Sequence, residues 1–260
     1  AHVVNVTATI ENALSVPITP ITFGTVFPQE QLEKSLSVAL SGSFLTENRV
    51  DYVEYIIRQK PKCGVTSDNG TVLVSPTWTG HVVVVGGQTE GYTSYIDCEQ
   101  DRPAEVTAQP NDLDFYLLPS LCEYISKHPD GIDDDDETTT VGATNDGSLN
   151  SFHQPWALVG ANGDNPFTPA VETTIPEGTL VWNDTKGRLA KSQLDQTDTW
   201  TIDLKVPCFG GFCAQDWEAF VEGINPGTDA SLYTQPISNE HKVFGCNLWV
   251  EVSGVSENRN

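Results

Sequence analysis

The sequence predicts an all-β fold, and three observations carry the prediction. Two segments alternate between apolar and polar residues. In one, Trp200, Ile202, Leu204 and Val206 are set against Thr201, Asp203 and Lys205. In the other, Phe244, Cys246, Leu248, Val250 and Val252 are set against Asn247, Trp249 and Glu251. A period of two turns one face of a strand to a core and the other to water. Val- and Thr-rich runs recur between Gly and Pro punctuation, with 21 Gly and 16 Pro in 260 residues, as short strands joined by turns require. Sustained apolar spacing at the helical period is confined to one stretch, residues 113–127.

The chain opens on an alternating stretch. His2, Val4, Val6, Ala8 and Ile10 fall on one side of an extended chain, and Val3, Asn5, Thr7, Thr9 and Glu11 on the other. No hairpin partner follows it; Pro17 and Pro20 favour an extended connection through residues 12–20 instead. A lone strand is unstable in water, so this one has to join a sheet. It is either an edge strand of its own domain or a strand donated to the next copy. Donation buries four or five apolar side chains at about 1.5–3 kcal/mol each, with about 1 kcal/mol net for each ladder hydrogen bond.

Strands are expected along residues 32–45, through Leu36, Val38 and Leu40, and along 51–58, which is apolar on both faces at Ile56 and Ile57 and stopped by Pro61. Further strands are expected at 71–74, at 78–85 before Gly86 and Gly87, and at 93–97. Residues 113–127 predict a helix capped by Asn111 or Asp112, restarted at Pro119, with Leu117, Leu118, Leu121 and Ile125 facing the core. An irregular, acidic insertion is expected over residues 128–165. Strands resume at 179–182 and 187–191, and a short helix is expected at 214–222 around Trp217 and Phe220. The organisation is an N-terminal strand and linker, residues 1–20, and one β domain, residues 21–260.

Composition bounds the function. With 36 acidic and 13 basic residues the formal charge is −23, which disfavours nucleic acid and anionic lipid as partners. No apolar run is long enough for a membrane span. The chain has no Met and opens on a small residue, Ala1, as expected after signal-peptide removal on the way to the cell surface. Six cysteines, Cys63, Cys98, Cys122, Cys208, Cys213 and Cys246, suit three disulfides in an oxidising space; fifteen pairings are open. If the first three and the last three form separate groups, at least one bridge joins the groups. Asn5, Asn69 and Asn183 head N-glycosylation sequons.

Catalytic signatures are missing. The histidines His2, His81, His128, His153 and His241 form no HExxH, and there is no GxSxG, Walker A or dinucleotide fingerprint. The chain is therefore not read as an enzyme. A secreted hydrolase is the least favoured of three functions. Asp133, Asp134, Asp135 and Asp136, followed by Glu137, offer hard oxygen ligands for Ca2+ but lack EF-hand spacing; a solvated charge run is the simpler reading.

Residues 21–45, ITFGTVFPQEQLEKSLSVALSGSFL, resemble the start of TasA/camelysin-type domains, and residues 198–217, DTWTIDLKVPCFGGFCAQDW, resemble the late strands of secreted TasA-like proteins. The resemblance covers the two ends of the chain and not the middle. It implies a jelly-roll sandwich with an extended donor strand, one short helix and a long loop insertion. The implied function is an extracellular filament subunit, a pilus or biofilm-matrix fibre similar to archaeal bundling pili. Val4, Val6, Ala8 and Ile10 would be the inserted side chains, and the partner is another copy, head to tail. The metalloprotease role attached to camelysin has no zinc motif here to receive it. Divalent cations bridging neighbouring filaments are expected to offset the negative charge. The alternative is a secreted jelly-roll adhesin or carbohydrate-binding module, with Trp78, Trp156, Trp182 and Trp249 as a platform for cell-surface glycans.

Overall fold

Strands dominate the computed structural model, which describes residues 10–17, 19–66, 72–87, 91–102, 114–129, 148–159, 178–192 and 195–257. Fourteen strands run in chain order: β1 Leu14–Ser15, β2 Gln31–Leu40, β3 Val50–Pro61, β4 Cys63–Thr66, β5 Val72–Leu73, β6 His81–Gly87, β7 Gly91–Asp97, β8 Asp114–Leu117, β9 His128–Pro129, β10 Trp156–Leu158, β11 Leu180–Trp182, β12 Thr185–Ala190, β13 Thr197–Lys205 and β14 Cys246–Glu257. Among the described residues two short α-helices join them, α1 Gly42–Thr46 and α2 Trp217–Ile224. The fold is all-β; of the two helices expected, the one around Trp217 and Phe220 forms, as α2, and α1 is an addition. Helix α1 is a single turn started by Ser41, whose hydroxyl accepts the Phe44 amide at 3.1 Å.

Two antiparallel sheets face each other across the main core. Sheet A has the order β1-β2-β13-β9 and sheet B the order β12-β3-β14. The pleat sends Leu36, Val38 and Leu40 of β2 and Trp200, Ile202 and Leu204 of β13 inward from one side. Val53, Tyr55 and Ile57 of β3 and Leu189 of β12 come from the other, all into one cluster. At its centre the Tyr55 hydroxyl donates to the Asp198 carboxylate and accepts the Trp200 indole N–H at 2.8 Å. Burial, reinforced by the charge of Asp198, pushes the Tyr55 hydroxyl far above its ordinary pKa, so it stays a donor. Gly187 pairs with Tyr55 across β12 and β3, and a Cβ there would lie 2.1 Å from the Tyr55 ring.

A smaller sheet, β5-β4-β8, closes a second cluster of Cys63, Val65, Cys98 and Phe115, with Trp78 packed on it. The hairpins β6-β7 and β10-β11 complete the architecture.

The helix expected over residues 113–127 does not form. Its start is β8, paired with β4 from Cys63↔Leu117 to Thr66↔Asp114, and its end is a 3-10 turn at Cys122–Tyr124; Leu113 lies outside the described residues. Phe115 and Leu118 are buried and Leu117 is 40% exposed, a pattern that neither the expected helix, with Leu117 facing the core, nor strict strand alternation gives. Pro119 blocks the helical path between the two halves, and the Leu118 amide instead donates to Lys62 O. Within the stretch expected to be irregular, Ser151, Phe152 and His153 are buried. Phe152 has a left-handed φ of 63°, held by its amide to Glu123 O and by Asn225 Nδ2 to its carbonyl at 2.8 Å.

The cysteines form three disulfides, Cys63–Cys98, Cys122–Cys246 and Cys208–Cys213. One of them, Cys122–Cys246, joins the first three cysteines to the last three. It spans 124 residues of chain against 5 for Cys208–Cys213, so loop-closure entropy makes removal of the first cost about 5 kcal/mol and of the second about 2 kcal/mol. Urea unfolding of Cys122→Ser/Cys246→Ser and Cys208→Ser/Cys213→Ser variants should reproduce that order. The same assay should show Gly187→Ala losing about 3 kcal/mol, because the Tyr55 ring has no room to yield.

Candidate functional site

A candidate site is set by where the chain enters sheet A. β1 covers only the end of β2, Leu14↔Leu40 and Ser15↔Ala39. Towards the N-terminus the chain continues past that end. Ser41 donates its amide to Ala13 O and its hydroxyl to Asn12 O at 2.6 Å, and the Ser43 hydroxyl reaches the Glu11 carboxylate at 3.4 Å. Ile10 is 94% exposed. Residues 11–13 therefore lie past the end of β2 and not along residues 31–38.

On its other side β2 pairs with β13 along nine register positions. The outer edge of residues 31–38 has no strand partner among the described residues. The connection through Pro17, Thr19, Pro20 and Ile21 passes beside it, separated from Lys34, Ser35 and Leu36 by a cavity of about 290 Å³. Val16, Ile21, Phe23 and Val26 of this connection pack on the core. The result is a sheet edge without a strand partner among the described residues, flanked by a connection whose apolar side chains pack on the core; unpaired edges of this kind are where strands add.

A second surface gathers on the outer side of sheet B. Trp156 and Trp182 pair across β10 and β11 with ring centroids 5.6 Å apart. Arg58 lies 5.2 Å from the Trp182 ring and Lys60 lies 3.2 Å from the Trp249 ring. Arg58 also meets Asp184 at 3.0 Å and Glu251 at 3.4 Å, and Lys60 meets Glu251 at 3.3 Å. Burial lowers the Lys60 pKa against the pull of Glu251. Three of the four tryptophans expected in a sugar platform thus come together, but cations lie over two of their rings. Trp78 stands apart, edge-on to Phe115 at 5.8 Å.

Under β3 runs a buried polar seam that the sequence did not announce. Lys127 is fully buried, its ammonium nitrogen donating to Ile57 O at 3.0 Å and Asn183 O at 3.4 Å. His153 Nε2 meets Gln59 Oε1 at 2.7 Å, and Gln59 Nε2 donates to Cys122 O and Ile125 O. Burial pulls Lys127 down to about 7, against the attraction of Asp184, and pulls His153 down to about 3. No pattern in Ser126-Lys127-His128 marks this lysine, because its acceptors come from remote strands.

Of the other expected site residues, Val4, Val6, Ala8, Asn5, Asn69 and Asp133, Asp134, Asp135 and Asp136 lie outside the described residues. Asn183 is half-buried, its side-chain amide donating to Gln154 O at 3.3 Å. His81 pairs with Asp101 at 2.9 Å and His128 with Asp203 at 3.6 Å. Among the described residues no three His, Cys, Asp or Glu side chains are grouped to hold a metal ion, and no helix is long and apolar enough to cross a membrane. No family model matches the chain, and no curated protein or solved structure gives a significant match.

Lys127 and His153 give the fold a pH dependence of one sign. Between pH 7 and 10.5 the unfolded chain holds a proton that buried Lys127 refuses, and between pH 3 and 6.5 the same holds for His153, so stability rises with pH across both windows. The urea midpoint should climb from pH 7 to about 9.5 and fall below about 6.5. Lys127→Met should flatten the alkaline slope and leave the acid slope in place.

Proposed function

We propose that the protein is a structural subunit of an extracellular filament, in which residues 2–10 of one copy complete sheet A of the next along β2. The observation that carries this reading is the edge at residues 31–38, which has no strand partner among the described residues, with residues 11–13 placed past its end and Ile10 standing 94% exposed. Burying Ile10 and the apolar row Val4, Val6 and Ala8 in a neighbour removes that surface from water, at about 25 cal/mol per Å2, and satisfies the free backbone groups of β2. A contact between two different surfaces does not close on itself, so it propagates as a fibre. The three disulfides agree with an oxidising, extracellular setting. A jelly-roll frame is supported by the way successive long strands change sheet, β2 to β3 and β12 to β13.

A second reading, a glycan-binding adhesin, is favoured by the gathering of Trp156, Trp182 and Trp249. It ranks lower because Arg58 and Lys60 occupy ring faces that a sugar needs.

Deletion of residues 1–10 separates the two. In a filament subunit the shortened chain keeps its three disulfides and its thermal transition but forms no filaments by negative-stain microscopy, whereas the full chain does. A full chain that stays monomeric, or a shortened chain that still polymerises, overturns the filament.

A further inference from the structure

The geometry points to one direction and one register for the donated strand: antiparallel to β2 of the receiving copy, with Val4 opposite Val38, Val6 opposite Leu36, Ala8 opposite Lys34 and Ile10 opposite Leu32. This rests on the filament reading and adds its polarity.

Parity selects the row. β2 turns Leu36 and Val38 inward, and Leu32 and Lys34 share their side of the strand. The donor's apolar residues are also the even-numbered ones, so even must face even, because a one-residue slip turns every side chain to the wrong side. Within that parity only the stated antiparallel register lays all four apolar donor residues along positions 38 to 32. It also sets the smallest of them, Ala8, against Lys34, the one polar residue of the row. Shifting two residues one way puts Ile10 opposite Glu30, beyond the strand; shifting the other way carries Val4 onto Leu40.

Direction follows from what already occupies the edge. Positions 39 and 40 are taken by the receiver's own β1, and the receiver's Asn12 and Ala13 lie beside Ser41. A parallel donor would drive its linker, residues 11–20, straight into them. An antiparallel donor leaves past Gln31 instead and pairs through residues 4–10 alone, its first three residues leaving the ladder where β1 occupies positions 39 and 40. The body of the donor then arrives at the end of sheet A that carries two exposed aromatics, Phe27 at 65% and Phe212 at 74%. They sit on segments tied together there: Gln29 donates to Val206 O, Val206 donates to Glu30 O, and Phe212 lies in the loop closed by Cys208–Cys213. Seating the strand requires the connection at Pro17–Pro20 to move outward from the cavity beside Lys34.

The outward-facing pairs of this register are Asn5 with Ser37 and Thr9 with Glu33, and they test it. In the full chain, Thr9→Cys/Glu33→Cys should give a ladder of disulfide-linked multimers on non-reducing gels, with peptide mapping placing the new bond. Asn5→Cys/Ser37→Cys should do the same. Thr9→Cys/Ser37→Cys should give none, because four residues of offset separate the thiols by roughly 13 Å. A ladder from Thr9→Cys/Ser37→Cys overturns the direction while leaving strand donation in place. Filaments visible by negative stain with no ladder from either matching pair overturn the register. An unmodified chain that forms no filaments overturns the filament reading itself.

Discussion

The hydrogen-bonded group Tyr55, Asp198 and Trp200 holds the two main sheets to each other, and much of the rest is arranged around it. Tyr55 belongs to β3 and the other two to β13, so the group bridges the sandwich through its centre with both donors satisfied. A buried carboxylate is tolerable only when such donors meet it. Gly187 is required beside it, because the Tyr55 ring lies where a side chain would stand. With the two sheets fixed, the edge of β2 is fixed too, and so is the place where the chain enters and leaves sheet A.

The strands that bury one face were legible. β2 and β13 show the alternation expected of them because each separates a core from a polar face; β3, expected to be apolar on both faces at Ile56 and Ile57, alternates instead, and β14 departs from its expected pattern, with Val252 47% exposed and Asn247 buried. The stretch at residues 113–127 was misread because leucines three and four apart suit a helix and, across a proline, equally suit a strand followed by a turn. What decides is tertiary: β4 offers a ladder to Asp114–Leu117, and Cys246 holds Cys122. The buried seam of Lys127, His153 and Gln59 was illegible for a related reason. Its partners, Ile57, Asn150 and Cys122, lie far apart in the chain or are backbone atoms, which leave no mark in a sequence. The open edge of β2 could be suspected from a leading strand with no hairpin partner, but its location needed the pairing of β1.

Charge is distributed with economy. Four of the 13 basic residues, Arg58, Lys60, Lys186 and Arg188, lie on the outer side of sheet B in one patch of register. There Asp184 and Glu251 neutralise the first two, and aromatic rings cover Arg58, Lys60 and Arg188. The remaining surface is correspondingly acidic, which keeps molecules apart laterally. Association between copies then favours contacts made by backbone and apolar groups over contacts made by ions.

The nine-position pairing of β2 with β13 has a mechanical meaning in such a fibre. Pulling force would reach each subunit through β1 and leave it through the strand received from the neighbour, and both are attached to β2. In the proposed fibre, tension would enter and leave the subunit at β2 and load its pairing with β13 in shear, with the ladder bonds sharing the stress rather than unzipping one by one. Sheet B, the Cys122–Cys246 bridge and the small side sheets lie off that line, free to vary in shape without weakening the cable.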